Sequence, residues 1–359
     1  MRHVEIEKIG SSVSRLELPR KITVIEECAD PRVGDVVAVR ALSESATYGN
    51  LELPTGRLAK INTGDALLGV LGKRRALKGF VGDVPATIAT GDKLHLLNMG
   101  GVIGLCKGHH SSFSDAIEVE VVGIACDEKA NILNIADGAL SPVDKLRPSA
   151  PIIMIAGTCM NSGKTVAATE IIKQAANAGF RVTGAKLSGI ACLRDTLHMQ
   201  DHGAVATASF VDCGLPSTVE YGDLAPVAKA ILNHLNTFEP ELIVVELGDG
   251  IVGGYAVDSV LKDPEIKAAI SSFVFCASDY VGVIGGIEVL KGLGILVDVI
   301  AGSVTDSQMG EDFVRDRFGL EAGNARRDGA RLFSLVSNDI RRLNSAATPV
   351  LVQPVVSSI

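Results

Sequence analysis

Nine residues near the middle of the chain have the composition of a phosphate-binding loop. They are Gly157-Thr158-Cys159-Met160-Asn161-Ser162-Gly163-Lys164-Thr165. The loop follows the apolar run Ile152–Ile155 and opens a helical pattern, so its backbone N–H groups and the helix N-terminus would face phosphate oxygens. The Lys164 ammonium would reach the β- and γ-phosphates, and the Thr165 hydroxyl would ligate Mg²⁺. The motif predicts a bound nucleoside triphosphate with Mg²⁺; the alternative is an ordinary glycine turn between strand and helix.

The spacing of this loop resembles that of one class of phosphate-binding proteins. Five residues separate Gly157 from Gly163, where the standard motif has four. The run G-T-x-x-x-x-G-K-T-V-A-A, an alanine-rich helix and then AGFRVTGAK over 178–186 resemble dethiobiotin synthetase. That P-loop class also contains amidotransferase-associated cobyrinate synthases and poorly characterised two-domain proteins. The resemblance covers about residues 152–305, does not reach the N-terminal half, and implies an ATP-dependent P-loop fold.

The resemblance also implies roles for three charged residues beyond the loop. In the family, a lysine that ends the second strand contacts substrate and phosphate. Lys186 has that place, which makes it a candidate catalytic residue beside Lys164. The family holds Mg²⁺ with an aspartate beyond that strand and a glutamate that closes the next core strand. Asp195 in LRDT and Glu246 at the end of LIVVE match them, and together with Thr165 they form the expected metal site.

The positions of these residues at strand ends favour the same roles on physical grounds. Charged side chains that end apolar parallel strands lie at the carboxyl edge of the sheet, where such folds bind ligands. A carboxylate that ends LIVVE is costly in a core unless it is paired or metal-bound, and Mg²⁺ prefers oxygen ligands. The alternatives are a capping or salt-bridged carboxylate for Glu246, a surface turn for Asp195 and a solvated strand end for Lys186.

Three hydroxyl side chains and one polar turn complete the predicted site. The family's Lys-Pro-x-x-x-Gly is K-L-S-G here, over 186–189, which leaves the acceptor unidentified and adds Ser188 as a candidate substrate contact beside the lysine. Ser217 and Thr218, in the turn-rich segment DCGLPST, could bind an anionic substrate or belong to a plain connection. Ser303–Asp306 follows LVDVIAG, where the class places its nucleobase pocket. No Asn-Lys-x-Asp guanine-recognition sequence is present, which favours ATP over GTP.

Two halves with different patterns position these residues. From about residue 20 to residue 140, short β-favouring runs alternate with Gly-Asp pairs, which are typical of hairpin turns. The predicted strands are Val36–Val39, Arg57–Ile61, Ala66–Leu71, Lys93–Leu97, Ile117–Ile124 and Ile132–Ile135. Ser141–Ala150, with two prolines, has the composition of a linker.

Beyond the linker, apolar strands alternate with helices, which predicts a parallel sheet covered on both faces. Strands are predicted at 152–155, 181–185, 242–245, 273–276 and 297–301, and helices at 165–177, 225–235 and 283–293. We therefore expect an α/β fold: a P-loop NTPase domain with a parallel sheet over residues 150–342, preceded by a small β-rich, barrel- or sandwich-like domain over 1–145. Residues 343–359 form a tail.

Composition limits the class of partner. The 359 residues include 47% hydrophobic residues and carry a formal net charge of −8, without the basic surface that nucleic acids or anionic membranes require. No apolar run is long enough to span a bilayer, and the N-terminal MRHVEIEKIG lacks the apolar core of a signal peptide. Seven cysteines without a CxxC pair indicate reduced thiols. We expect a cytoplasmic protein with a small-molecule partner; a homodimer stays open.

Two classes of function fit these residues. The first is an enzyme that transfers a phosphoryl group from Mg-ATP to a small acceptor, either as a kinase or as a ligase that forms an acyl- or carbamoyl-phosphate. Its acceptor would lie at the boundary between the domains, where clefts are common. The second is a nucleotide-dependent switch or maturation factor that docks a protein partner. A polynucleotide kinase is disfavoured, because only 4% of the residues are aromatic and none is tryptophan.

Overall fold

The computed structural model describes residues 1–45 and 47–337. The predicted tail over 343–359, and the predicted end of the α/β domain at residue 342, lie outside the described residues. Within them, the N-terminal half is strand-rich and the C-terminal half alternates strands with helices, as the sequence predicts.

Short strands form the N-terminal half, with a 3₁₀ helix at Ser11–Leu16. The strands are β1 Arg2–Glu5, β2 Lys8–Ile9, β3 Lys21–Ile25, β4 Glu27–Cys28, β5 Val36–Ala41, β6 Asn50–Glu52, β7 Leu58–Lys60, β8 Ala66–Leu71, β9 Arg74–Arg75, β10 Phe80–Asp83, β11 Ile88–Ala89, β12 Lys93–Leu96, β13 Val102–His109 and β14 Glu118–Cys126.

These strands close into a small barrel. β14 pairs with β5, β5 with β8, β8 with β13, β13 with β12, and β12 returns to β14. A closed ring leaves no free edge within it, which removes a site of non-specific pairing. Of the two forms that the sequence predicts, the barrel is therefore the one that the chain adopts.

The barrel strands are apolar on both sides because each side faces a different core. In β5, Val37 and Val39 point into the barrel interior, whereas Val36 and Ala38 belong to a second cluster that continues into the α/β half. β8 alternates in the same way. Side chains of a strand alternate between faces, so one face fills the barrel and the other packs against the neighbouring domain.

Three of the four predicted Gly-Asp turns form, but none of the three joins a hairpin, because the strands on either side of each turn do not pair with each other. At 34–35, 64–65 and 91–92, the aspartate carboxylate accepts a hydrogen bond of 2.6 to 2.8 Å from the main-chain N–H three residues earlier. Gly82–Asp83 instead lies inside β10. The predicted strand Ile132–Ile135 is wrong: this segment makes only isolated bridges, from Ile132 to Cys126 and from Asn134 to Asp35.

The C-terminal half contains the predicted sheet and helices, with 3₁₀ turns at Phe210–Cys213 and Ser303–Thr305. The strands are β15 Ile152–Gly157, β16 Val182–Lys186, β17 Ala206–Ser209, β18 Leu242–Glu246, β19 Ile270–Cys276, β20 Val299–Ala301 and β21 Glu321–Ala322. The helices are α1 Lys164–Asn177, α2 Arg194–Asp201, α3 Ala225–Asn236, α4 Val257–Lys262, α5 Pro264–Ala269, α6 Tyr280–Gly292 and α7 Gln308–Phe318. Residues 329–337 are also helical.

The sheet is parallel throughout, in the order β17-β16-β18-β15-β19-β20-β21. In β15, Ile153 and Ile155 pack in the cluster that includes α1, while Met154 and Ala156 pack in the cluster that includes α3. The sheet is therefore covered on both faces, as predicted. The sequence patterns did not predict α2, α4, α5, α7, β17 or β21, most of which are short or polar.

The two halves are joined by more than the linker. The segment 141–150 has no regular structure, but it is hydrogen-bonded to α3: Arg147 N donates to Asn233 Oδ1 at 2.8 Å, and Ala150 N donates to Asn236 Oδ1 at 2.9 Å. One apolar cluster extends from the outer barrel face to one face of the parallel sheet. The carboxyl edge of that sheet therefore lies in a fixed relation to the barrel.

Candidate functional site

The loop Gly157–Thr165 has the local geometry of a tight phosphate-binding turn. It leaves β15 at Gly157 and enters α1 at Lys164. Gly163 has φ 104°, which favours glycine, and a Cβ at Gly157 would lie 2.4 Å from Ser162 Oγ and 2.8 Å from the Cys276 carbonyl oxygen. Gly163 is therefore needed for its backbone angle, and Gly157 is needed for close packing.

Lys164 is buried inside this loop. Its side chain is 5% exposed, and Nζ donates a 2.7 Å hydrogen bond to the Cys159 carbonyl oxygen. Burial lowers the pKa of Lys164; Glu246 opposes that effect and the Lys186 charge adds to it. Charged phosphate oxygens bind an ammonium group more strongly than a neutral carbonyl oxygen does. A bound nucleotide can therefore replace the Cys159 carbonyl oxygen as the partner of Lys164.

The structure brings four of the predicted residues together at the carboxyl edge of the sheet. Thr165 Oγ1 donates to Glu246 Oε1 at 2.9 Å. Lys186 Nζ lies 2.7 Å from the same Glu246 oxygen and 2.7 Å from Asp195 Oδ2. Lys186 and Glu246 are register partners at the ends of β16 and β18. Asp195 lies in the first turn of α2 rather than in a surface turn.

The charges in this cluster support one another. Burial lowers the pKa of Lys186, but Asp195 and Glu246 outweigh it and leave that pKa raised. Burial likewise raises the pKa of Asp195, and the Lys186 ammonium outweighs it, so the net shift is downward. The lysine and the aspartate therefore stay ionised near neutral pH.

Two oxygen-bearing side chains of this cluster fit Mg²⁺. Glu246 is 1% exposed, and its Oε2 atom has no hydrogen-bond partner among the described residues, so one buried carboxylate oxygen is free beside the Thr165 hydroxyl. The described residues contain no group of three or more His, Cys, Asp or Glu side chains suited to a metal. Magnesium bound with phosphates and water needs few protein ligands, so Thr165 and Glu246 fit it. Lys186 bridges Asp195 and Glu246, and the predicted role of Asp195 as a further metal ligand stays a prediction.

The barrel half holds α2 in place. The Glu52 carboxylate, at the end of β6 and 1% exposed, accepts hydrogen bonds from Leu193 N at 2.7 Å and from Arg194 N at 2.9 Å. Ser11 Oγ also donates to this carboxylate. An acidic group at a helix N-terminus is stabilising, so Glu52 orients the turn that carries Asp195. No local sequence signal pointed to Glu52.

An open cleft of about 340 Å³ lies over the cluster, and both halves line it. The barrel half contributes Tyr48, Arg74, Asn98 and Met99. The α/β half contributes the four clustered residues with Lys164, and also Asp249 and Tyr255. Burial raises the pKa of Asp249, against the opposing effect of Lys164. The acid in the ELGDG sequence could have been singled out from its place after the strand, whereas Arg74 and Tyr48 carry no local signal.

The other predicted substrate contacts lie outside the lining of this cleft. Ser188 is buried and its hydroxyl donates to the Gly248 carbonyl oxygen at 3.2 Å. The Thr218 hydroxyl donates to Tyr255 O at 3.0 Å, and Ser217 Oγ accepts from the N–H of Val219 at 3.2 Å. These three hydroxyls are used to hold loops together.

A smaller recess adjoins the helical side of the phosphate-binding loop. Gly163, Gly302, Ser303 and Asp306 line it, together with Asn324. The Asn324 amide donates to Asp306 Oδ1 at 2.8 Å, which fixes the wall of the recess. The predicted nucleobase segment Ser303–Asp306 therefore lies next to the loop. No helix in the described part of the chain is both long and apolar enough to cross a membrane.

No protein-family profile and no curated protein matches this chain. Among solved structures, it is similar to the signal recognition particle receptor FtsY from Elizabethkingia anophelis, with 12% identity, 56% of this chain and 68% of that chain covered, and a TM-score of 0.36. It is similar to the signal recognition particle 54 kDa protein from Aeropyrum pernix in complex with GDP, with 18% identity, coverage of 59% and 52%, and a TM-score of 0.36. A DUF1611 family protein from Anabaena variabilis matches with 12% identity, coverage of 55% and 62%, and a TM-score of 0.38.

These likenesses are partial: the chain spans about half of the 54 kDa protein's length. The chain's own topology defines its fold class more directly, because a glycine-rich loop joins a central parallel strand to a helix N-terminus. The protein is therefore an α/β protein with a P-loop NTPase fold, preceded by a small β-barrel.

Proposed function

We propose that this protein is an enzyme that transfers a phosphoryl group from Mg-ATP to a small-molecule acceptor, as a kinase or as a ligase that forms an acyl- or carbamoyl-phosphate. The observation that carries the proposal is the cleft beside Lys164 and Lys186. It offers space for a second molecule next to the phosphate-binding loop, and barrel residues form part of its wall. A nucleotide switch needs no such acceptor space.

The residues have complementary tasks in this proposal. The loop N–H groups and the N-terminus of α1 bind the phosphates, and Lys164 exchanges its bond to the Cys159 carbonyl oxygen for phosphate oxygens. Lys186 faces the transferred group and stabilises its developing charge. Thr165 and Glu246 would hold Mg²⁺, which neutralises phosphate charge when bound. Catalysis then rests on positioning and charge stabilisation.

The finer assignment to a dethiobiotin synthetase-like enzyme is supported by the loop spacing and by the matched positions of Lys186 and Glu246. ATP is proposed as the nucleotide, because the chain has no Asn-Lys-x-Asp sequence. The substrate roles of Ser188, Ser217 and Thr218 stay predictions, and they would require these side chains to leave their present hydrogen bonds.

One contact favours the alternative, a nucleotide-dependent switch or maturation factor. Glu52 of the barrel caps α2, and α2 carries Asp195 next to Lys186. A change at the nucleotide site could therefore reach the barrel surface through this helix. A switch would show slow hydrolysis that a protein partner stimulates, with no dependence on a small acceptor.

The first test is calorimetry of the full chain with Mg-ATP and with Mg-GTP. Lys164→Ala should weaken Mg-ATP binding by more than tenfold, because a charge on the β- and γ-phosphates is lost. Lys173→Ala is the matched control: Lys173 lies on the same helix, with a side chain 51% exposed. It should bind Mg-ATP like the wild type. Equal affinity in both variants would refute the P-loop assignment.

The second test separates enzyme from switch. ADP release should rise when a small acceptor from a panel of carboxylic acids, amines and alcohols is added to the purified protein. If no member of such a panel increases ADP release while a protein partner does, the switch is the better account.

A further inference from the structure

A buried arginine in the cleft has no acidic partner. Arg74, in β9, is 3% exposed. Its guanidinium donates to the Leu97 carbonyl oxygen and, at 2.9 Å, to the Tyr48 hydroxyl, and it lies 4.9 Å from the centre of the Tyr48 ring. The Nε atom is buried without a hydrogen-bond partner in the described residues. Buried charges are normally paired, so this guanidinium is unusual.

The next residue in the sequence shows the ordinary arrangement. Arg75 lies 2.5 Å from Asp83 and 3.0 Å from Glu220, and these carboxylates compensate its charge. No carboxylate in the described part of the chain lies within ion-pair distance of Arg74. A guanidinium has five N–H donors, and the contacts of Arg74 use two. Donors remain for a ligand.

Arg74 lines the same cleft as Lys164 and Lys186. Tyr48, Met99 and Tyr255 lie around it in the lining, and they offer apolar and aromatic surface. Asp249 also faces the cleft, but it is not ion-paired with the arginine. Asp249 is nevertheless close enough for the Arg74 charge to act to lower its pKa. The barrel side of the cleft therefore combines one positive charge that has no ion-pair partner with an apolar wall.

We propose that Arg74 binds an oxyanion of the acceptor, a carboxylate or a phosphate group, at the barrel wall of the cleft. The inference rests on the proposed phosphoryl transfer. It adds that the acceptor is a small anionic molecule, whose charged group lies at Arg74 while its reacting group faces Lys164 and Lys186. The planar fork of an arginine suits such a group, because it can donate two parallel hydrogen bonds to one oxyanion.

The test begins by filling the phosphate-binding loop, so that an anion cannot bind there. The full-length protein is saturated with Mg²⁺ and a non-hydrolysable ATP analogue, and this titration itself reports whether the proposed nucleotide site exists. Succinate and inorganic phosphate are then titrated separately by calorimetry, which distinguishes a carboxylate from a phosphate ligand. Saturable binding of at least one of them is the expected result.

Arg74→Met should weaken this second binding event by more than tenfold and leave the affinity for the nucleotide analogue unchanged. Arg74→Gln, which keeps a donor for the Leu97 carbonyl oxygen, is the second variant in case the first does not fold. Arg75→Met is the matched control: it removes a neighbouring arginine whose charge is already compensated, so anion affinity should stay at the wild-type value.

Two results would overturn the inference while leaving the nucleotide site intact. One is a nucleotide-loaded wild type that binds neither succinate nor phosphate. The other is a folded Arg74→Gln variant that binds both nucleotide and anion as the wild type does. Failure of the nucleotide analogue to bind at all would instead refute the proposed function.

Discussion

Lys186→Met tests the charge cluster at the centre of the site. In the wild type, the Lys186 ammonium lies 2.7 Å from both Asp195 Oδ2 and Glu246 Oε1. Methionine keeps most of the length of the side chain and removes its charge. Two carboxylates would then face each other without a cation, one of them on a side chain that is 1% exposed.

The expected loss of stability follows from that burial. Removing one partner of a buried ion pair costs about 3–5 kcal/mol. The Asp195 side chain is 23% exposed and can gain some hydration, so we expect the lower end, about 3 kcal/mol. A loss of that size is a large fraction of the about 5–15 kcal/mol that stabilises a typical folded protein. Denaturant unfolding measures it directly.

The pH dependence of the loss has a defined sign. The pKa of Asp195 is lowered in the folded wild type, so its contribution to stability is full above its ordinary value of 3.8 and is lost as the pH falls below it. In the variant, burial without a cation raises that pKa. The folded variant therefore takes up protons at a higher pH than the wild type. Its loss of unfolding free energy relative to the wild type should be largest near neutral pH and should shrink towards pH 4. Lys186 has a raised pKa, so it stays charged over this range.

Magnesium provides a second measurement, and another lysine provides the control. Without nucleotide, Mg²⁺ should stabilise Lys186→Met more than the wild type, because a divalent cation can replace the ammonium between the carboxylates. Lys229 also bridges two carboxylates, Asp263 and Glu265, each at 2.8 Å, but it lies on α3 beside the linker. Lys229→Met should lose less stability, since Glu265 is 43% exposed, and should gain nothing from Mg²⁺. Equal responses to Mg²⁺ in both variants would refute this account of the cluster.

Two further predictions follow from the same contacts. Glu246→Gln should abolish most of the extra thermal stabilisation that Mg²⁺ adds to bound ATP, because the free buried carboxylate oxygen is lost; a full magnesium dependence in this variant would assign the ion to other ligands. The fragment Ser149–Ile359 should aggregate, because removing the barrel uncovers the apolar face that packs against it. A monodisperse fragment that binds Mg-ATP with the affinity of the full chain would contradict that expectation.

The parts of the fold and site that could be predicted are those encoded by neighbouring residues. The loop Gly157–Thr165 carries its own turn residues and is flanked by a strand and a helix, so its conformation is local. Lys186 and Glu246 could be brought together from sequence because parallel strands end at one edge, and they are register partners. The barrel strands were predictable from short β-favouring runs between Gly-Asp turns, although Ile132–Ile135, which makes only isolated bridges, shows that such a run does not always form a strand.

The rest of the site depends on contacts between distant segments. The polar sequence RDTLHMQD gives little sign of a helix, and α2 receives its N-terminal cap from Glu52, which lies more than a hundred residues earlier. Arg74 faces the cleft only because the barrel docks beside the P-loop. The spacing of residues in the sequence does not indicate this contact between the two halves. Ser217 and Thr218 occur in a segment with the composition of a binding loop, but main-chain groups of the folded protein already satisfy their hydroxyls. Composition alone does not distinguish these two uses of a hydroxyl.

The barrel contributes to the site because the side chains of its strands alternate between two apolar cores. One face of β5 and β8 fills the barrel, and the other face belongs to the cluster that reaches the parallel sheet, so the barrel cannot shift without exposing that second face. This fixed docking brings Glu52 to the N-terminus of α2 and Arg74 to the wall of the cleft. The first contact orients Asp195 towards Lys186, and the second leaves a buried positive charge in the cleft that the phosphate-binding loop also lines. A P-loop domain needs neither residue to bind a nucleotide. Their presence is most simply explained if the barrel half supplies the part of the site that selects and orients a second, anionic molecule.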